Sequence, residues 1–353
     1  MPQALFQENG TVDRLTKIWT RRYCPDMSQF SSMNSELEHR RALSEILSKK
    51  GRERTAQKLS EKIVIQQCNL AAVRARKLYA NDTAATFKPT SHLAKLLSRL
   101  YFQLINIYQE KTSVVRSLRE TQEQPSLESS LAAWGIPEIN TLAAVLSPLL
   151  FELQEWNRSF DNWKTVGFST TQISLSNALL LEQLTTLEQV FMRVYFQFLE
   201  EQVALPWQRM CSAAAAHTMS SPLFLVVERL LPMTQDIAEA VHERWSLAFP
   251  NYSSQRGTLT SPAIRHASIR DFEMFQVYLW LCCLEKNLTF IEQELAAICV
   301  TVYGALNIPW KMTVDGTILL MHEILSRLTP EERELISPYA QGMIRMTNEA
   351  LLD

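Results

Sequence analysis

Eight glycines in 353 residues, at positions 10, 51, 135, 167, 257, 304, 316 and 342, constrain this chain more than any other feature. Hairpin turns and the loops of parallel sheets consume glycine, because it alone enters φ > 0 without steric cost. A chain this poor in it reads as all-α, a multi-helix bundle of two helical subdomains. The shortest interval between two glycines is the twelve residues from Gly304 to Gly316. Phosphate-cradling loops, dinucleotide fingerprints and the G-x-S-x-G elbow all need glycines close together, so those chemistries are excluded.

Helix signals divide the chain further. Residues 1–33 read as an irregular arm with one short helical stretch, VDRLTKIWTRRY. Residues 34–121 read as a basic helical region: a helix from Asn34 or Ser35 that stops at Gly51, a second from Arg52 to Tyr79, and a third from Ser91 to Glu120. Residues 122–136, beginning in TQEQPSLESS, have the composition of a linker. An acidic helical bundle is expected over 137–250, with helices at 137–166 and 172–201 and a kink at Pro232. A loop over 251–268 and a C-terminal helical unit over 269–353 follow. Thr329, Pro330 and Glu332 there supply an N-cap, a proline at the first helical position and a capping-box glutamate.

Net charge is −2, but it is unevenly laid out. Residues 1–125 hold 21 Lys+Arg against 12 Asp+Glu, and the remainder 14 against 25. Such polarity suggests an anionic partner for the first part, or docking of that part on the acidic remainder of the same chain. The six cysteines show no CxxC and no regular spacing, and lie mostly in apolar helical stretches, as reduced core thiols of a cytoplasmic protein would. No run approaches the 18 or so apolar residues of a membrane span.

The stretch VYLWLCCL, 277–284, is apolar on every side, so it is either central to a core or covered by a partner. Around it, YLWLCCLEKNLTFIEQELAAIC resembles uncharacterised all-helical proteins of cyanobacteria. The resemblance covers the C-terminal unit and implies no activity.

Catalytic motifs are missing. Glu36-x-x-His39 and Glu239-x-x-His242 have the i, i+3 spacing of di-metal helical bundles. Glu239 and His242 point away from the Ile237, Val241, Trp245 stripe, which leaves Glu36 and His39 as the metal candidates. A lone histidine on an apolar face is more often a hydrogen-bonded core residue than a ligand, so no metal and no cofactor are expected.

A basic row is the remaining binding candidate. Arg54, Lys58 and Lys62 are spaced by four and Arg76 rejoins them later, with Arg40, Arg41, Lys49 and Lys50 adding to the row if the preceding helix folds back. A helix-turn-helix pivoting on Gly51 would need apolar residues directly after the turn, where Arg52, Glu53 and Arg54 stand instead. No aromatic lies between Phe30 and Tyr79, so bases would find no stacking platform. These features lead to the expectation of a non-catalytic adaptor, scaffold or assembly factor whose basic face takes an acidic protein partner. The alternative is a nucleic-acid-binding regulatory protein, and a helical di-metal enzyme stands behind both.

Overall fold

The computed structural model describes residues 10–25, 36–79, 90–111, 131, 134–158, 164–254 and 257–350. Among them the secondary structure is helical apart from a two-residue antiparallel pairing, β1 (Ser253–Ser254) with β2 (Gly257–Thr258). The chain folds as two compact units, and the first is discontinuous: it comprises Met1–Trp19 together with Ala204–Asp353, while Thr20–Val203 form the second. We call them the split unit and the inserted unit. The linker expected over 122–136 belongs to the inserted unit, and its residues 122–130, 132 and 133 lie outside the described residues.

The inserted unit contains α2 (Glu36–Leu47), α3 (Lys49–Lys58), α4 (Glu61–Leu78), α5 (Thr90–Glu110), α6 (Ile139–Arg158), α7 (Lys164–Leu181) and nearly all of α8 (Thr186–Ala204). Helix α4 packs between α5 and α7, burying Val64, Cys68, Ala71, Ala72 and Ala75; small residues at close spacing let these helices approach. The α5 tyrosines Tyr101 and Tyr108 meet Phe196 and Tyr195 of α8 edge to face.

Three expected helices are interrupted, each just before a new helix start. Helix α2 ends at Leu47, before the expected stop at Gly51, because Ser48 adopts an extended conformation and its hydroxyl accepts the Gly51 N–H at 3.0 Å, starting α3. Gly51 therefore sits inside the first turn of α3. A Cβ there would lie 2.1 Å from the Glu45 carbonyl oxygen, so only glycine lets α2 double back so tightly. The helix expected over 52–79 breaks at Leu59–Ser60, where Ser60 is again extended (ψ 160°). The helix expected over 172–201 breaks before Thr186. Thr185 and Glu188 exchange capping-box hydrogen bonds there, a signature readable as T-T-L-E and overlooked in the sequence.

The split unit contains α1 (Gly10–Thr20, of which Thr20 falls in the inserted unit), α9 (Trp207–Ala214), α10 (Pro222–Leu230), α11 (Thr234–Ala248), α12 (Pro262–Glu285), a π-helical turn (Phe290–Leu295), α13 (Ala296–Ala305), α14 (Trp310–Ser326) and α15 (Pro330–Glu349). Pro232 ends α10 through a 3₁₀ turn, Leu231–Met233, which redirects the chain into α11. Thr329 and Glu332 form the expected capping box and Pro330 opens α15. The loop expected over 251–268 is shorter than its composition implied, since the β-hairpin occupies its middle and α12 begins at Pro262.

The helical stretch expected within the arm, VDRLTKIWTRRY, is α1 with a 3₁₀ turn after it, and α1 is part of this unit. Trp19 stacks on Trp207 with ring centroids 5.8 Å apart. The Thr11 hydroxyl donates to the Ala214 carbonyl at 2.8 Å, Arg14 pairs with Glu228, and Leu15 is fully buried.

Candidate functional site: the enclosed helix of the split unit

Helix α12 organises the split unit. Every residue from Phe272 to Leu284 is buried, including Glu273 and Gln276, because α9, α10, α11, α15 and the π turn pack around it. Of the two roles open to an all-apolar helix, the structure shows the first: VYLWLCCL is covered by its own unit. Gly316 of α14 approaches so closely that a Cβ would meet the Phe272 ring and the Trp245 indole nitrogen at 3.2 Å.

Three separate groups of polar side chains lie along this helix. The Tyr278 hydroxyl donates to Glu294 at 2.6 Å, and Arg209 donates to the other oxygen of the same carboxylate at 2.7 Å while lying 3.9 Å over the Phe290 ring. Burial, and then the neighbouring Glu294 charge, push the Tyr278 hydroxyl well above its ordinary value. Immediately before the buried run, Asp271 accepts from Arg270 at 3.0 Å and from the Tyr303 hydroxyl at 3.2 Å. His217 bonds the Leu284 carbonyl through Nε2 at 2.7 Å and Ser221 through Nδ1, which closes the C-terminal end of α12.

Four cysteines belong to this unit. Cys282 and Cys283 are fully enclosed on α12, Cys299 is 1% exposed on α13, and Cys211 is 5% exposed on α9, where the Thr16 hydroxyl approaches its sulfur. Burial pushes the Cys282 thiol up to about 11, against the opposing backbone N–H groups of Ile291 and Phe290. It pushes Cys211 to about 12, and Cys283 and Cys299 well above their ordinary value.

The sequence-derived candidates lie elsewhere, in the inserted unit. Arg40, Glu36 and His39 fall in α2, but their side chains lie outside the described residues. Among the described residues no three His, Cys, Asp or Glu side chains come together as a metal site would require. His242, set aside in the sequence as facing away from the buried stripe, is 3% exposed and beside Trp245. Burial, and then the Arg265 charge, lower its pKa.

The basic row is split by the Leu59–Ser60 break, with Arg54 and Lys58 on α3 and Lys62 and Arg76 on α4. Arg54 pairs with Glu45 at 2.8 Å, and Lys58 holds Glu188 at 2.7 Å. Arg41, Lys49, Lys50 and Lys62 are exposed. Between the folded units the charge polarity is also milder than between the sequence halves. The inserted unit holds 22 Lys+Arg to 19 Asp+Glu and the split unit 13 to 18, because the acidic stretch after residue 137 is divided between them.

One basic residue was missed. Arg52, 1% exposed, donates to the carbonyls of Leu47 at 3.4 Å, Tyr108 at 3.1 Å and Trp134 at 2.6 Å, and its guanidinium sits 4.7 Å from the Tyr108 ring centre. Leu47 ends α2 and Tyr108 lies in the last turn of α5, so the cation meets two helix C-termini, where orphan carbonyls concentrate negative partial charge. In the sequence it looks like one more lysine or arginine in a basic run, and nothing local distinguishes it.

Residues 223–346 match the family described as phycobilisome protein, a span of about a third of the chain that lies wholly in the split unit. No curated protein and no solved structure matches the chain. The matched span runs from the start of α10 to the last turn of α15 and includes all of α12. It corrects the expectation of a generic adaptor with a basic face, and equally that of a nucleic-acid binder: phycobilisome proteins are a structural light-harvesting family. The resemblance of YLWLCCLEKNLTFIEQELAAIC to cyanobacterial helical proteins falls inside the matched residues. Among the described residues no helix is long and apolar enough to cross a membrane.

Proposed function

We propose that the chain is a structural component of a phycobilisome-type light-harvesting assembly, with the split unit as the piece that packs among the assembly's other proteins. The observation that carries this reading is the match over residues 223–346. Three features of the split unit support it: an enclosed central helix, a polar network tying α9, α12 and the π turn together, and an N-terminal helix docked on α9. Together they make a block built around an enclosed helix, suited to fixed geometry. The role is structural and not catalytic, and its place is the cytoplasmic side of the thylakoid surface, where phycobilisomes sit.

Such families are pigment-binding, and a pigment joined through a cysteine thioether needs an accessible, ionisable thiol. The cysteines of the matched span, Cys282, Cys283 and Cys299, are buried and their thiols are held protonated. The residues present do not fit a thioether-linked pigment.

The test is to place an affinity-tagged full chain in a phycobilisome-containing host and isolate intact light-harvesting complexes on a density gradient. The expected outcome is sedimentation of the chain with the pigmented complexes. Recovery only in the fraction of free soluble protein overturns the proposal.

A further inference from the structure

We infer that the split unit enters its assembly as a colourless block, with no thioether-linked pigment on any of its four cysteines; this rests on the light-harvesting reading above. Forming that linkage takes three things. The sulfur must attack a carbon of the pigment's unsaturated side chain, the S–C bond must form as the carbon–carbon double bond is lost, and the thiol proton must end on the adjacent carbon. Attack requires a thiolate with open space in front of it, and the pigment, a tetrapyrrole larger than any side chain, requires room beside it.

No cysteine of the unit meets these conditions. Cys282 and Cys283 occupy successive positions of α12 and so point about 100° apart, yet neither reaches solvent, because the helix is wrapped on every side. One of the two would face outward on an ordinary amphipathic helix. The turn after α12 closes the remaining end: Leu288 lies so tightly on Gly342 of α15 that a Cβ there would fall 2.6 Å from its methyl group. Cys299 lies behind Tyr303, whose hydroxyl is engaged by Asp271. Cys211 is covered from α1 by Thr16 and Leu15 is buried nearby in the same helix. Protein interiors pack at about 0.74 of their volume, so a tetrapyrrole reaches these sulfurs only by displacing the side chains that cover them. The exposed thiol of the chain is Cys24, which belongs to the inserted unit.

The experiment uses the full chain and its Cys24→Ser variant. In native buffer, a small aromatic disulfide reagent should titrate one thiol promptly in the parent and none in the variant, with the buried five appearing only in denaturant. Prompt labelling of Cys211, Cys282, Cys283 or Cys299, located by peptide mapping, overturns the inference. The variant is then purified from a pigment-making host and denatured in acid; the expected result is the unmodified mass and no visible absorption. A pigment-sized mass increment on any of the four cysteines overturns the inference, even where the chain sediments with light-harvesting complexes. A chain that is unmodified and fails to sediment with them defeats the proposed function alone, because the thiol titration still supports the burial on which the inference stands.

Discussion

The two units stabilise their interiors in different ways. The split unit encloses one apolar helix, α12, and places its charged groups around the ends and rim of that helix. The inserted unit places a full cation, Arg52, and a carboxylate, Glu188, among its helix ends, and uses them as staples. An enclosed apolar helix tolerates small volume errors by losing packing energy in increments. A buried cation has no such graded response, since removing it leaves several carbonyls unsatisfied at once. The comparison also separates what is shared with known proteins from what is not: the family match falls on the split unit and leaves the inserted unit untouched.

Perturbing each unit separately tests this contrast. The largest effect is expected from Trp19→Ala, which removes a fully buried ring stacked on Trp207 and should lower the stability of the split unit by about 4 kcal/mol. Thermal unfolding followed by domain-specific fluorescence should show the split unit's transition falling while the inserted unit's stays in place; an unchanged split unit would mean that α1 is not part of it. Next comes Arg52→Met, expected to cost the inserted unit about 3 kcal/mol in a denaturant titration. Arg52→Lys should recover little, because one ammonium cannot address three carbonyls in fork geometry, and full rescue by lysine would reduce Arg52 to a simple charge.

A smaller effect is expected at Glu188. Burial pushes its carboxyl up, but hydrogen bonds from Lys58 and Thr185 outweigh that and hold it below its ordinary value of 4.5. A carboxylate lowered in the folded state stabilises above its unfolded pKa, and this contribution disappears as pH falls through the folded value. Glu188→Gln should therefore cost about 1 kcal/mol at neutral pH, with solvent around the half-exposed Lys58 screening the pair, and should flatten the loss of stability below pH 4.5. An acid limb identical in both proteins would refute the assignment. Least of all, Lys62→Glu on the exposed face of α4 should shift stability by less than about 0.5 kcal/mol. A larger change would reveal a contact that makes the basic row structural.

The parts of the fold that were legible are those with a local cause. Scarce glycine gave the helical class, Pro232 gave a break, and Thr329-Pro330-Glu331-Glu332 gave a helix start to the residue. The first break was placed three residues late, at Gly51 instead of Ser48, and the one at Ser60 was not anticipated, because serine is tolerated inside helices and marks a start only where its backbone turns extended. The T-T-L-E box at Thr185 was readable but hidden in a long apolar pattern that alone suggested continuity. The apolar run 277–284 was recognised as special, but whether its cover came from the chain or from a partner depended on tertiary packing. Least legible was the ownership of α1, since its docking surface on α9 comes from residues some two hundred positions away.

That last feature has a consequence for the order of events during synthesis. Thr11 finds Ala214, 203 positions later in the sequence, and α15 completes the same unit later still. Helix α1, made before the inserted unit, must wait with its Trp19 and Leu15 uncovered while that entire unit is produced and can fold within itself. Only a chain extended through α15 can close the split unit, so one that stops short of it cannot present the closed block to its neighbours.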